Sequence, residues 1–180
     1  SLPRAIVINK MNRDTANYER VFGEMKGIFD VRLVLMQLPI GQKEAFKGVV
    51  DLVTMQAYLE DGKKPTEIPA DLVDDAEALR VELIDAIAEQ DDDILMKYLE
   101  GEELTAAEIQ QGLRAGIRTG AIVPVFLAAA THNVGAVALL DAIANYFPNP
   151  AEMPAEIAVK PDSQEEVELP PRSDGPLVAL

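Results

Sequence analysis

The apolar run Ala5-Ile6-Val7-Ile8 ends in Asn9-Lys10-Met11-Asn12, two side-chain amides and one ammonium within four positions. On a polar loop after a buried strand, an amide such as Asn9 can tie neighbouring backbone in place. The stem of Lys10 can lie over a flat ring. The fourth position decides what such a loop reads. A carboxylate there accepts two adjacent donors at once, and guanine presents such a pair, its N1–H and its 2-amino group. Asn12 offers one acceptor and one donor instead, so its NH2 would point at guanine's own amino group. That mismatch costs roughly 1–3 kcal/mol. Xanthine carries a 2-oxo group that accepts from an amide, so relaxation toward xanthine nucleotides is expected. The same four residues also fit an ordinary polar loop between a strand and a helix.

Other chemistries are closed off. Cysteine is absent and His132 is the single histidine, so thiolate sites, disulfides and multi-histidine metal sites are excluded. His132 reads as a plain surface residue. The chain carries no G-x-x-x-x-G-K-[ST] phosphate cradle. No apolar run approaches the roughly 18 residues of a membrane span. No signal peptide is read, and the expectation is a cytoplasmic protein without a membrane partner.

Elements must position the loop. Asn17 opens a helix with Tyr18, Val21, Phe22, Met25, Ile28 and Phe29 on its apolar side. Leu33 to Leu38 is a second apolar run, stopped by Pro39 and Gly41. Phe46 to Leu59 reads as one or two strands, and Asp61-Gly62 as a turn. Three helices follow. The first, about 70–89, has Leu72, Ala76, Leu79, Leu83 and Ile87 in its stripe. The second, about 92–99, turns Ile94, Leu95 and Leu99 inward. The third starts at the Thr105/Glu108 capping box and ends at Gly120. Ile122 to Leu127 is a buried strand, with an irregular start at Pro124. The small-residue loop Ala128 to Gly135 leads to a helix whose stripe is Val137, Leu140, Ile143, Ala144 and Phe147. Residues 149–172 read as a linker, and 175–180 as the start of a strand.

Charge is concentrated. The 180 residues hold 31 acidic and 16 basic side chains, a net charge of -15. Between Asp71 and Glu108 lie 14 acidic residues against two basic ones, which is most of that excess. Direct nucleic-acid binding is therefore not expected, because phosphate contacts need clustered Lys and Arg. The acidic stretch is either a solvated helical face or a docking face for a basic protein.

Several blocks together carry a resemblance. They are Asn9-Lys10-Met11-Asn12-Arg13 with Ala16 to Arg20, and Gln37-Leu38-Pro39-Ile40-Gly41 with Phe46 to Val53. Ile68 to Leu72, Met96 to Thr105, Leu139 to Ile143 and Tyr146 to Pro150 complete the set. Collinear over nearly the whole chain, they resemble elongation factor G, the ribosomal translocase GTPase.

The resemblance implies an α/β fold: a partial P-loop NTPase (G domain) sheet that lacks the phosphate-loop half and carries an inserted α+β subdomain. It places the GTPase domain at 1–34 and 121–148, the insert at 35–120, a linker at 149–172 and the start of a β-barrel domain at 173–180. It assigns guanine binding to Asn9, Lys10, Asn12, Ala129 and Ala130, with the Ala130 N–H facing guanine O6. Ala129 stands where the family has serine, and Asn12 where it has aspartate. Its cofactors are GTP or GDP with Mg2+ in the full-length protein, with none expected in this piece, which should be inactive alone. Its partner is the ribosome, through the basic C-terminal domain of the stalk protein, met by Asp74, Asp75, Glu82, Asp85 and Glu89. The alternative is a divergent elongation factor G-like paralogue with altered nucleotide specificity, acting mainly as a ribosome-binding module. A sheet left with only the strands at 5–8 and 122–127 should expose an edge and favour a homodimer or strand exchange.

Overall fold

The computed structural model describes residues 2–59, 64–160 and 163–171. The Asp61-Gly62 turn and the strand expected at 175–180, with the domain start at 173–180, lie outside the described residues. Residues 1–147 form one compact unit and 148–180 a second.

The first unit holds two sheets. Strands β1 (Ile6–Ile8), β7 (Ile122–Leu127) and β2 (Arg32–Leu35) form a parallel sheet in the order β1-β7-β2. Strands β3 (Gln37–Ile40), β4 (Gly48–Asp51), β5 (Gln56–Leu59) and β6 (Pro65–Thr66) form an antiparallel sheet in chain order. The expectation of a two-strand remnant is corrected, because β2 pairs along β7 from Arg32↔Ile122 to Leu35↔Val125. The single apolar run Leu33 to Leu38 is divided between the two sheets at Met36. The Met36 N–H donates to Val125 O at 3.0 Å, and its carbonyl accepts from Leu52 N at 3.1 Å. Pro39 does not stop the run. It pairs with Val49 in β3, an edge strand, where a missing N–H is tolerated. β1 is also an edge, with Val7 40% exposed.

Pro124 sits inside the central strand for a related reason. Val125 O faces β2 and Ala128 N faces β1. By the two-residue period of a strand, position 124 turns its backbone toward β1, whose pairing begins one residue later, at Ile6↔Val125. No ladder bond is lost there.

Alternation along β7 divides the core. Val123, Val125 and Leu127 face one cluster with Leu33, Leu35 and the apolar side of α1 (Tyr18–Ile28). Ile122 and Phe126 face the other, with α2 (Val73–Ala88), α4 (Ala106–Thr119) and the antiparallel sheet. That second cluster runs through Val34, Leu38, Leu83, Ile117 and Tyr146, so the expected insert at 35–120 shares one core with its flanks. Gly112 lets α4 approach α2, because a Cβ there would overlap Ile87.

Local signals set the helix ends. Asn17 caps α1 by accepting from Arg20 N at 2.8 Å. Thr105 and Glu108 form a reciprocal capping box on α4, and Gly120 ends it at φ 78°. Lys97 of α3 (Asp92–Leu99) also bonds Glu108, and with Thr105 holds that carboxyl at about 2. We expect Thr105→Ala to cost about 1 kcal/mol. Glu108 is depressed when folded, so its stabilising share is present above the ordinary carboxylate range and lost as pH falls toward about 2. Urea titrations of the two proteins across that range check both points; the difference between them should narrow as the carboxylate protonates.

Some inward faces differ from expectation. Leu99 is exposed, as are Ile28 and Phe29 at the end of α1. On α5 (Ala136–Tyr146) the buried residues are Ala138, Ala142 and Tyr146, while Leu140 is 64% and Ile143 45% exposed. The second unit is not a bare linker. Asn149 caps a short turn at Pro150–Glu152, and β8 (Glu156–Val159) pairs antiparallel with β9 (Glu166–Leu169). Among the described residues no helix is long and apolar enough to cross a membrane.

Candidate functional site

Two loops leave the carboxyl ends of β1 and β7, adjacent parallel strands, where open α/β sheets place ligands. Backbone joins them first. Ala128 N donates to Ile8 O at 3.0 Å, and Met11 N donates to Ala128 O at 3.1 Å. Met11 is buried, so the apolar residue between Lys10 and Asn12 anchors the first loop. Asn9 completes the link. Its Oδ1 accepts from Lys10 N at 2.7 Å and from Ala130 N at 3.1 Å.

That bond bears on the Ala130 N–H. The Ala130 N–H assigned to guanine O6 is engaged by Asn9 in this structure, and a base there must take it over. Asn9 does tie neighbouring backbone, but it is the second loop that it holds. Ala129 is fully buried and its N–H bonds Val134 O at 3.0 Å. A serine hydroxyl at that position would need a partner inside the core. Lys10 adopts a left-handed backbone, φ 63°, and is exposed.

The second loop is a single tight turn, Ala130–His132. His132 N donates to Ala129 O at 2.9 Å, and Asn133 closes the turn at φ 60°. His132 is exposed, as expected, yet it is not isolated. Its Nδ1 lies 3.2 Å from Asn12 Nδ2 and 3.1 Å from Thr131 Oγ1. A cavity of about 590 Å3 opens beside this contact. Asn12, Arg13 and Asp14 of the first loop line it, with His132 and Val134 of the second and Glu44, Phe46 and Lys47 from the β3–β4 turn. A smaller cavity of about 210 Å3 lies along Asn9, Lys10 and Met11 toward Asn17.

Sequence reasoning missed the Asn12–His132 pair, because 120 positions separate the two residues. It also missed Gln37, a buried polar residue, whose Oε1 accepts from Leu127 N at 2.9 Å. No spacing rule connects those positions either.

The five acidic candidates lie on or beside α2. Asp74 and Asp75 are in its first turn, where the helix dipole favours them. Asp75 lies near Tyr18, whose hydroxyl is pushed up to about 12, by burial first and then by Glu19 and Asp75. Glu82 pairs with Lys26 and Glu89 with Arg32, each at 3.6 Å. Asp85, beside the Tyr98 hydroxyl, holds that phenol above its ordinary range. Three of the five are therefore engaged within the chain. The two ion pairs are long and half exposed, a class worth little and readily exchanged for a partner. Among the described residues no cluster of three His, Asp or Glu side chains could hold a metal ion.

No family model matches the chain. It is similar to a crystal structure of a protein from Thermus thermophilus, at 26% identity and a TM-score of 0.74 over 93% of this chain. The chain spans 26% of the length of that structure.

Proposed function

We propose that this chain is the base-reading part of a larger GTPase of the elongation factor G type, with an acidic insert that docks on the basic C-terminal domain of the ribosomal stalk protein. The observation that carries it is the bridge from Asn9 Oδ1 to Ala130 N at the carboxyl ends of β1 and β7. It joins the two loops on which the family resemblance places guanine recognition, and the parallel order of the strands supports a partial G-domain sheet. The base is the part of the nucleotide that these residues fit. The sequence carries no G-x-x-x-x-G-K-[ST] phosphate cradle, and among the described residues no group of three His, Asp or Glu side chains could hold a metal ion. The piece alone is expected to turn over no GTP.

Side-chain and backbone amide NMR of the 180-residue chain with added guanosine tests the base-reading half. In Asn12→Asp, guanosine should shift residues 9–12 and 128–133; no shift at millimolar guanosine overturns the reading. The docking half is tested with purified stalk C-terminal domain at low ionic strength. Charge reversal of Asp74 and Asp75 together should weaken binding by about tenfold, on the order of two surface charges facing a basic patch. Added salt should weaken the unmodified chain likewise. Absence of binding at low salt refutes the docking half.

The altered-specificity alternative has its own support in Asn12, which meets His132 instead of offering a carboxylate. In that version the parent is a divergent paralogue that works mainly through its ribosome contact.

A further inference from the structure

We infer that the free edge of β2 is a docking groove for an extended peptide segment of another protein. The segment adds to the three-stranded parallel sheet as a further strand, and it carries an apolar and a basic residue two positions apart. The groove lies away from the two loops and does not depend on the function proposed above.

The edge follows from the ladder. Met36 N donates to Val125 O, so by the two-residue period Val34 also turns its backbone toward β7. Leu33 and Leu35 turn theirs the other way, where β2 has no neighbour in the order β1-β7-β2. Among the described residues their N–H and C=O groups have no hydrogen-bond partner. Yet the two residues are only 5% and 6% exposed. Unpaired backbone on buried residues is costly, and an added strand pairs both groups of each residue.

A cavity of about 480 Å3 is lined by residues 31–35 of this edge. Its other walls are Lys26 of α1 and Leu79, Glu82, Leu83 and Asp85 of α2. Those walls decide the occupant. The β2 of a second copy would bring its own α1 and α2 against the helices already there, whereas a lone extended segment brings none. Side chains of the added strand alternate between the two faces of the sheet. Val34 packs in one cluster with Leu83, so every second side chain meets the α2 wall. Leu79 and Leu83 call for an apolar residue there. Glu82 already pairs with Lys26, while Asp85 has no cation paired with it among the described residues. The next side chain on that face is therefore basic.

The test is amide NMR and hydrogen exchange on the 180-residue chain, with acetyl-Thr-Val-Thr-Lys-Thr-amide as the probe. Without peptide, the Leu33 and Leu35 N–H groups should exchange faster than that of Val34. Equal protection of all three overturns the inference, because the edge is then already paired. Protection at Leu33 and Leu35 that rises with chain concentration also overturns it, because the occupant is then a second copy. Millimolar peptide should slow exchange at both residues by about fivefold, as one backbone bond each allows. No slowing refutes the added strand, even if α2 responds to the peptide. Two N-methylated probes, one methylated at valine and lysine and the other at the threonines, should part. The one whose methyls face β2 should bind about tenfold more weakly, and the other should bind as before. Equal behaviour of the two refutes strand addition. Asp85→Asn should weaken the parent peptide by about threefold, and unchanged binding refutes the basic partner. Neither a nucleoside nor the stalk domain enters these readouts, so failure here leaves the proposed function standing.

Discussion

Gly135→Val will lower the stability of the chain by about 3–5 kcal/mol. Gly135 opens α5 at φ 79°, a left-handed backbone that a β-branched residue adopts only under strain. Space is the second obstacle. A Cβ at this position would overlap Leu127 O, and its next neighbour is the backbone of Ala128. Neither atom belongs to a flexible side chain that can swing away. The loop must shift as a body, and it carries the bond between Ala129 N and Val134 O. Urea unfolding of the variant measures the loss. Gly135→Asn separates the two causes, since asparagine tolerates the left-handed region but still brings a Cβ. A loss of about 2 kcal/mol or more in Gly135→Asn assigns most of the effect to the contact. A small loss assigns it to backbone strain.

The same reasoning shows what the sequence could disclose. The α4 cap was legible because Thr105 and Glu108 are three residues apart and act on each other. Phe46 to Leu59 was legible only as one or two strands, and it folds as two, β4 and β5. The inward face of α5 was not. The helix is apolar nearly all round, so periodicity alone cannot choose a side, and Leu140 looks a better core residue than Ala138. Packing chose Ala138, Ala142 and Tyr146, and left Leu140 and Ile143 exposed. The split at Met36 was hidden because Leu33 to Leu38 reads as one strand-like run, interrupted only by Gln37. Nothing in the run says that one half is parallel and the other antiparallel.

The site was half legible. A polar quartet after a buried strand marked the first loop, and small residues after a second strand marked the other. Their bridge follows from strands being neighbours, a fact of topology. Met11 was passed over because the quartet was read for its polar members, although its burial is what seats the loop. His132 was passed over as a lone exposed histidine, which most often has no role. Only the fold sets it against Asn12.

Gln37→Leu will cost about 2 kcal/mol and will loosen the loops after β1 and β7 from behind. Gln37 lies just past the point where the chain leaves the parallel sheet. Its Oε1 accepts from Leu127 N, supplying by a side chain the bond that a strand would have given. Leucine of similar size keeps the volume and removes the acceptor, so a buried N–H is left unpaired. Leu127 precedes Ala128, whose N–H bonds Ile8 O and whose carbonyl accepts from Met11 N. Amide exchange should therefore quicken at Leu127, Ala128 and Met11 before it does so in β5. Gln37→Glu gives the complementary test. Protonated, it keeps the acceptor and should match the unmodified chain at the same low pH. Burial raises the folded carboxyl above its unfolded value near 4.3, so its stability relative to the unmodified chain falls as pH rises through that window. A Gln37→Glu protein that stays equal to the unmodified chain from acid to neutral pH would show that this position is wet, and that the splice between the sheets is not the buried bond described.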